Sequence, residues 1–329
     1  MTTFSVVITT FNRLDLLKRA VASALAQTYP CQVVIADNAS TDGTQAYAES
    51  LGQRVTYVRN ATNRNHAGAV NAGAAAATGD WIKLLDDDDY LDPHCIATVA
   101  RAIAQHPQAA ICSCRAAQVK LDGRELSRTP ILGPGQVFYI PQAAIHYGML
   151  LEQVPFGTPA QVAVRRDALV QSGGWDEAMT SCDDIDSWIR VAEYGDALFI
   201  NECLAYRTIW PGGYDQKIQL QQRLATNILI KSRIYRRVSP AYRSHLPSVA
   251  TIGRYLHLHW GLVALKQRRL GTALTLAAPG IRSFQAWKLL LQARRQPDQA
   301  NPQCPIPKLD LAGMGQARQN TLHCIHAEV

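Results

Sequence analysis

Four consecutive aspartates, Asp86 to Asp89, follow the apolar start of LLDDDDYLDP at residues 84–93. Like charges this close repel one another, and a bound divalent cation is the readiest way to offset the cost. Alternate carboxylates, Asp86 and Asp88, suit a hard cation that keeps positions open for diphosphate oxygens. The competing reading is a solvated acidic turn. A second cluster, IADNASTDGT at 35–44, carries side chains able to hydrogen-bond a base or ribose. It equally fits an Asx-type turn in which Ser40 or Thr41 caps the next helix. A third, DDID at 183–186, opens a helical stretch with three carboxylates in its first turn. One of these can act as a general base if burial raises its pKa, or all can simply complement the helix dipole.

The elements that must hold these residues alternate between short apolar runs and helical stretches, as a doubly wound parallel sheet requires. FSVVITT, QVVIAD, RVTYVRN and DWIKLLD read as strands. LDLLKRAVASALAQ, TQAYAESLG and the small-residue stretch AGAVNAGAAAAT read as the helices between them. In open α/β sheets ligands bind outside the carboxyl ends of the strands, which singles out Thr9 to Arg13, Asp37 to Asp42 and Asp86 to Asp89. Further along, ICSCRAAQVKLDGREL reads as a hairpin turning at Asp122-Gly123, GPGQVFYIPQ as a loop and QVAVRRDAL as a strand.

The chain has 329 residues, of which 47% are hydrophobic and 18% charged, as expected of a globular protein. Eight cysteines without a CxxC pair imply reduced thiols and neither a disulfide framework nor a zinc site. The beginning, MTTFSVVITTFNR, does not read as a secretory signal, and no run approaches the roughly 18 apolar residues of a membrane span. A cytoplasmic location is the expectation.

The motifs VVITTFNR, DNASTDGT, NAG at 71–73, LDDDD at 85–89, and GGWDE followed by DDID resemble those of the family 2 glycosyltransferases, in that family's order. The resemblance covers residues 4–212. It implies a GT-A fold, an α/β doubly wound mixed sheet, with a nucleotide-sugar donor, a divalent metal and inversion at the anomeric carbon. By the same resemblance Thr9, Phe11, Asn12 and Arg13 would lie at the donor, with Phe11 where relatives often have a stacking tyrosine. Asp37 and Asn38 would contact base or ribose, favouring a UDP- or dTDP-sugar, and Asn71 would lie near the diphosphate, with Val70 where relatives have arginine. Asp88 would ligate Mn²⁺ or Mg²⁺, Asp86 would reach the ribose or the metal, and Asp89 would support them from behind. Asp184 would be the base that deprotonates the acceptor hydroxyl, preceded by Asp183, while Trp175 would stack on an acceptor sugar or plug the core. Many relatives place a metal-binding histidine after a Tyr-Arg pair; here YRTIWPGG puts Trp210 near that position. The acceptor implied is a glycan or lipid-linked glycan of polysaccharide or O-antigen-type assembly. Two alternatives are a nucleotidyltransferase, which would usually show a glycine-rich phosphate loop absent from TTFNRLD, and a catalytically inactive sugar-nucleotide or membrane-binding scaffold.

The net charge of +7 is unevenly spread: residues 1–215 carry 16 basic and 23 acidic side chains, whereas 216–297 carry 15 basic and no acidic ones. The expected division is therefore a catalytic domain at 1–215, a basic helical extension at 216–297 and a disordered, proline-rich tail at 298–329. Helices broken near Pro240, Pro247 and Pro279 fill the extension. The interleaving in ILIKSRIYRR, YLHLHWGLVALKQRRL and FQAWKLLLQARR fits amphipathic helices on an anionic membrane surface, with Trp260 and Trp287 near the headgroups, better than it fits nucleic acid. Helices packed on the acidic catalytic domain are the alternative. His257 and His259, two apart on a helix, point to different faces and do not form a metal site.

Overall fold

The computed structural model describes residues 1–211, 218–244 and 246–295, so the expected tail at 298–329 and both edges of the basic extension lie outside the described residues. Two compact units are present. One comprises Met1–Gln142 with Phe156–Trp210, and the other Ala143–Pro155 with the described residues between Pro211 and Arg295.

The first unit begins with β1 (Phe4–Thr10), buried along its whole length. Its run of β-branched residues suits a strand covered on both faces. The helix α1 (Leu14–Leu25) buries Leu17, Ala20, Val21 and Ala24, one face at helical spacing. Then come β2 (Gln32–Asp37), α2 (Thr44–Ser50), β3 (Thr56–Arg59), α3 (Asn65–Ala76), β4 (Trp81–Asp86), β5 (Tyr90–Leu91) and α4 (Cys95–Gln105). The second half adds β6 (Ala109–Val119), β7 (Glu125–Arg128), β8 (Val137–Ile140), β9 (Val162–Arg165), α6 (Arg166–Gln171), α7 (Asp183–Val191) and β10 (Asp196–Thr208), while α5 (Gln142–Leu150), between β8 and β9 in the chain, belongs from Ala143 on to the second unit.

The strands form one mixed sheet in the order β3-β2-β1-β4-β9-β6-β10-β5, with β7 paired to β6 and β8 to β10. The pairs β1–β2, β1–β4, β2–β3 and β6–β10 are parallel. In contrast, β9 enters antiparallel between β4 and β6, and β5, β7 and β8 are also antiparallel to their partners. Between α3 and β4 the chain turns hard against β1. A Cβ on Gly79 would stand 2.5 Å from the Phe4 carbonyl carbon and 2.6 Å from the Ser5 nitrogen, so only glycine fits there without moving backbone.

Three sequence expectations are corrected. GPGQVFYIPQ is not loop throughout: its VFYI forms β8, whose Phe138 and Ile140 are buried, and Gln142 opens α5. QVAVRRDAL is strand only as far as Arg165, after which α6 begins. Pro279 does not break its helix but lies within its last turn, at the cost of one backbone hydrogen bond.

The second unit contains α8 (Leu220–Arg237), α9 (Pro240–Arg243), α10 (Val249–Lys266), α11 (Leu270–Ile281) and α12 (Phe284–Arg295). The buried Lys231 of α8 donates to the Leu150 carbonyl at 2.9 Å and pairs with Glu152 at 2.8 Å. Tyr147 stacks on Tyr242 with centroids 4.9 Å apart, and His257 Nδ1 lies 2.8 Å from the Leu276 carbonyl oxygen, joining α10 to α11. Among the described residues no helix is long and apolar enough to cross a membrane.

Candidate active site

Parallel register brings three carboxyl strand ends together. Thr9 of β1 is the partner of Asp86 on β4, and Thr10 is the partner of Asp37 on β2. The Thr9 hydroxyl donates to Asp86 at 3.1 Å. On its other side Asp86 meets His66, the second residue of α3, whose Nε2 lies 2.9 Å from its carboxylate. The second nitrogen of that ring, Nδ1, lies 3.0 Å from Asp183 at the start of α7. One imidazole thus joins the expected donor and metal carboxylate to the expected base pair.

The charges explain the arrangement. Burial works against a protonated His66, but the carboxylates of Asp86 and Asp183 outweigh it and hold the pKa well above the usual histidine value. Burial likewise opposes ionisation of Asp86, and His66 outweighs it, so that carboxyl lies below its ordinary range. Among the described residues no such cation lies at hydrogen-bonding distance of Asp184. Burial, reinforced by neighbouring Asp183, pushes its pKa up to about 7, although its Oδ1 accepts from the Ile185 amide at 2.7 Å. That value suits a group that must take up a proton near neutrality.

The four aspartates divide their work. Asp87 faces inward, accepting from the Thr10 hydroxyl at 2.8 Å and from Arg13 at 3.0 Å. Burial raises its pKa to about 7 against the pull of Arg13. Asp88 accepts at Oδ2 from the Trp210 indole at 2.9 Å and from Arg13 at 3.3 Å. The Arg13 guanidinium in turn lies 5.4 Å from the Trp210 ring centroid. Asp89 accepts from the Thr208 amide at 2.8 Å, tying the cluster to the end of β10. Arg19 braces the same corner, donating to the Asp88 carbonyl and to Thr208, both at 2.6 Å.

Asp86, Asp88 and Asp89 each offer one oxygen, all within 4.8 Å of one another. Burial and then like charges raise the pKa of Asp88 and, more strongly, of Asp89. An all-carboxylate set under mutual repulsion fits a hard divalent cation such as Mn²⁺ or Mg²⁺.

The remaining expected donor residues are mostly engaged within the fold. Asp37 accepts from the Ser40 amide at 2.8 Å, a local side-chain turn of the kind weighed from the sequence, and from the Tyr57 hydroxyl at 2.7 Å, but neither Ser40 nor Thr41 caps α2, whose N-cap position is Gly43. Asn38 donates to Asn63 at 2.8 Å and to the Asn65 carbonyl at 2.7 Å, and accepts from Asn60 and the Arg64 amide. Asn12 sits in the left-handed region at φ 52° and accepts from the Thr41 amide at 2.7 Å. Phe11, beside it, is 42% exposed. Asn71 clasps Trp175, donating to its carbonyl at 2.9 Å and accepting from its amide at 2.8 Å. The Trp175 ring is 2% exposed and packs edge-on against His66 and Trp188, which places it in the core and not on an open face.

Sequence reasoning missed His66 and Arg19. Both lie at ordinary helix positions, and their partners are 20 or more residues away. The only local signal for His66 is a titratable residue at the mouth of an otherwise small-residue helix.

Comparison with known proteins places these features in context. The succinoglycan biosynthesis protein ExoO of Rhizobium meliloti is 38% identical over 123 residues, 36% of this chain and 35% of that protein. An uncharacterized glycosyltransferase of Haemophilus influenzae is 27% identical over 208 residues, 62% of this chain and 67% of that protein. The UDP-Glc:alpha-D-GlcNAc-diphosphoundecaprenol beta-1,3-glucosyltransferase WfaP of Escherichia coli is 35% identical over 88 residues, 26% of this chain and 35% of that protein. The match thus spans about a third of the length of ExoO and of WfaP. Among solved structures, S. aureus TarS 1–349 in complex with UDP-GlcNAc aligns with a TM-score of 0.60 at 14% identity, covering 84% of this chain and 90% of that one. The mannosyltransferase PcManGT from Pyrobaculum calidifontis, in complex with GDP-Man and Mn2+, aligns with a TM-score of 0.55 at 20% identity, covering 91% of this chain and 81% of that one. These two likenesses show the fold, the expected GT-A mixed sheet followed by helices. Because the profile of "Glycosyl transferase family 2" matches residues 5–173 of the 329, the chain belongs to that family.

Proposed function

We propose that the protein is an inverting glycosyltransferase that moves a sugar from a nucleoside diphosphate donor, UDP- or dTDP-linked, to a hydroxyl of a glycan or lipid-linked glycan. The observation that carries this reading is the His66 bridge, which sets the carboxylate pair Asp183 and Asp184 beside the strand end that carries Asp86 and Asp88. An in-line displacement needs an electrostatic clamp on the leaving group and a base near the attacking one, and these two carboxylate sets supply the parts.

Asp184 takes the proton of the acceptor hydroxyl as that oxygen bonds to the anomeric carbon. The bond from the same carbon to the diphosphate oxygen breaks, and the nucleoside diphosphate leaves with the bonding electrons. His66 keeps Asp183 and Asp86 in fixed relation while this happens. Asp86, Asp88 and Asp89 would hold Mn²⁺ or Mg²⁺, which when bound supplies positive charge for the leaving diphosphate. Phe11 offers an exposed ring for the base. We assign catalysis to residues 1–215 and contact with an acceptor-bearing membrane to 216–297, which makes the protein peripheral and not membrane-spanning. Relatives named for undecaprenol-linked substrates support the acceptor class.

The test is release of nucleoside diphosphate from a panel of UDP-, dTDP- and GDP-sugars, with Mn²⁺ or with EDTA, by wild type, Asp88→Ala and Asp184→Asn. Metal-dependent release of one nucleotide, lost in Asp88→Ala and sharply reduced in Asp184→Asn, is the expected result. Binding of no sugar nucleotide under any condition would overturn the reading.

A further inference from the structure

The helices α11 and α12 each carry a second apolar face beyond the one they bury. On α11 the buried positions include Ala273, Leu276 and Gly280, and on α12 they include Ala286, Leu290 and Ala293. Yet Leu270, Leu274 and Ile281 follow one another on α11 at i, i+4 and i+11, and Phe284, Trp287 and Leu291 on α12 at i, i+3 and i+7. Both spacings make a single stripe on a helix. These six side chains are 39% to 84% exposed, with Phe284 the most open. The two stripes meet at Ile281 and Phe284, on either side of a two-residue turn, and the Trp287 indole pins that turn by donating to the Ile281 carbonyl at 2.9 Å. Isolated exposed apolar residues are ordinary; two exposed stripes that adjoin across a two-residue turn pinned by Trp287 form a candidate binding surface.

Charge says what binds. Exposed Lys266, Arg268 and Arg269 precede α11, Arg282 stands in the turn, and Lys288 lies on α12 beside the stripe. No acidic residue occurs anywhere in 216–297. A second copy of the chain would bring the same cations face to face, and a nucleic acid would leave the apolar stripe uncovered. An anionic bilayer surface satisfies both features, headgroups taking the cations and acyl chains the apolar side chains. We propose that the α11–α12 stripe is an in-plane docking surface for anionic lipid. The inference extends the proposed transfer to a lipid-borne acceptor, and it names the residues that bring the enzyme to that acceptor.

The test uses the full chain in sedimentation with sucrose-loaded vesicles of phosphatidylcholine alone or of phosphatidylcholine with phosphatidylglycerol. Wild type is expected to sediment with the phosphatidylglycerol vesicles, with a blue shift of tryptophan emission, and to stay in solution with phosphatidylcholine alone. The apolar variant Leu274→Ser/Phe284→Ser and the charge variant Arg268→Gln/Arg269→Gln should each lower the partition constant by about tenfold or more. Leu270→Ser/Leu291→Ser serves as a second apolar variant, and each variant is used only after its thermal melt matches wild type. Wild type remaining in solution with both vesicles would overturn the inference. So would binding indifferent to the apolar variants, or a concentration-dependent dimer in analytical ultracentrifugation that Leu274→Ser/Phe284→Ser abolishes. Donor turnover with a water-soluble acceptor, unchanged in these variants, keeps failure of this inference distinct from failure of the transferase reading.

Discussion

The indole N–H of Trp210 donates to Oδ2 of Asp88 across 2.9 Å, at the place where the family resemblance leads one to expect a metal-binding histidine. An indole N–H is a donor only and cannot ligate a cation. Trp210 therefore occupies, together with Arg13 at 3.3 Å, one oxygen of Asp88 that a bound cation would need.

A cation that uses that oxygen must displace a charge-assisted hydrogen bond. Trp210→Phe is expected to tighten Mn²⁺ binding about three- to tenfold, the equivalent of roughly 1 kcal/mol of hydrogen bond removed. Trp210→His, which adds a ligand nitrogen, is expected to tighten it further. Calorimetric titration of Mn²⁺ in the presence of UDP measures both, and unchanged affinity in the two variants would show that Oδ2 takes no part.

Asp184 titrates at about 7 because burial and Asp183 disfavour its charge. As a base it works only when ionised, so kcat/KM is expected to rise with pH through about 7 and then level off. Asp184→Asn is expected to lower kcat by roughly 10²–10⁴-fold while leaving donor binding intact. A flat profile across this range in wild type would remove Asp184 from the role.

The same shift has a stability consequence. A carboxyl whose pKa in the fold exceeds its unfolded value of about 3.9 contributes stability that is complete below that value and is lost as pH rises through about 7. Thermal melts should therefore show Asp184→Asn gaining on wild type between about pH 4 and about pH 7, with the gap constant above.

His66 holds Asp86 and Asp183 through its two nitrogens. His66→Gln offers one amide donor and loses the positive charge, so three neighbouring carboxylates are left less compensated. A fall in kcat of about 10- to 100-fold is expected, with donor KM changed much less, because the bridge positions the base relative to the donor side and does not itself grip the nucleotide. An equal loss in kcat and in melting temperature, with an unaltered pH profile, would mark His66 as merely structural.

Gly79→Ala tests the fold. The new methyl would press on the backbone of Phe4 and Ser5, at 2.5 Å and 2.6 Å, and backbone inside a central strand cannot move aside cheaply. A loss of about 1–3 kcal/mol in denaturant unfolding is expected.

Much of the first unit was legible in the sequence because its signals are local. β1, β2 and β4 are short apolar runs with polar ends, and the helices between them show their buried face as a spacing. The position of Asp86 to Asp89 at a strand's carboxyl end followed from the same runs. By contrast β8 was obscured by the glycine and proline around VFYI, and its strand character comes from pairing with β10, a partner about sixty residues on. The end of QVAVRRDAL as a helix was likewise hidden, since α6 follows β9 directly, with no glycine or proline between Arg165 and Arg166 to mark the boundary.

From the sequence alone came the strand ends, the acidic cluster, the asymmetry of charge and the family they resemble. The tertiary structure alone decided that Asp37, Asn38 and Asn71 are held by their neighbours, that Trp175 is buried, and that His66 and Trp210 govern the carboxylates. The reason is physical: residue type and spacing determine which face of an element is apolar, whereas the partner of a polar side chain depends on strand register and on where the chain returns, and neither is encoded within a single element.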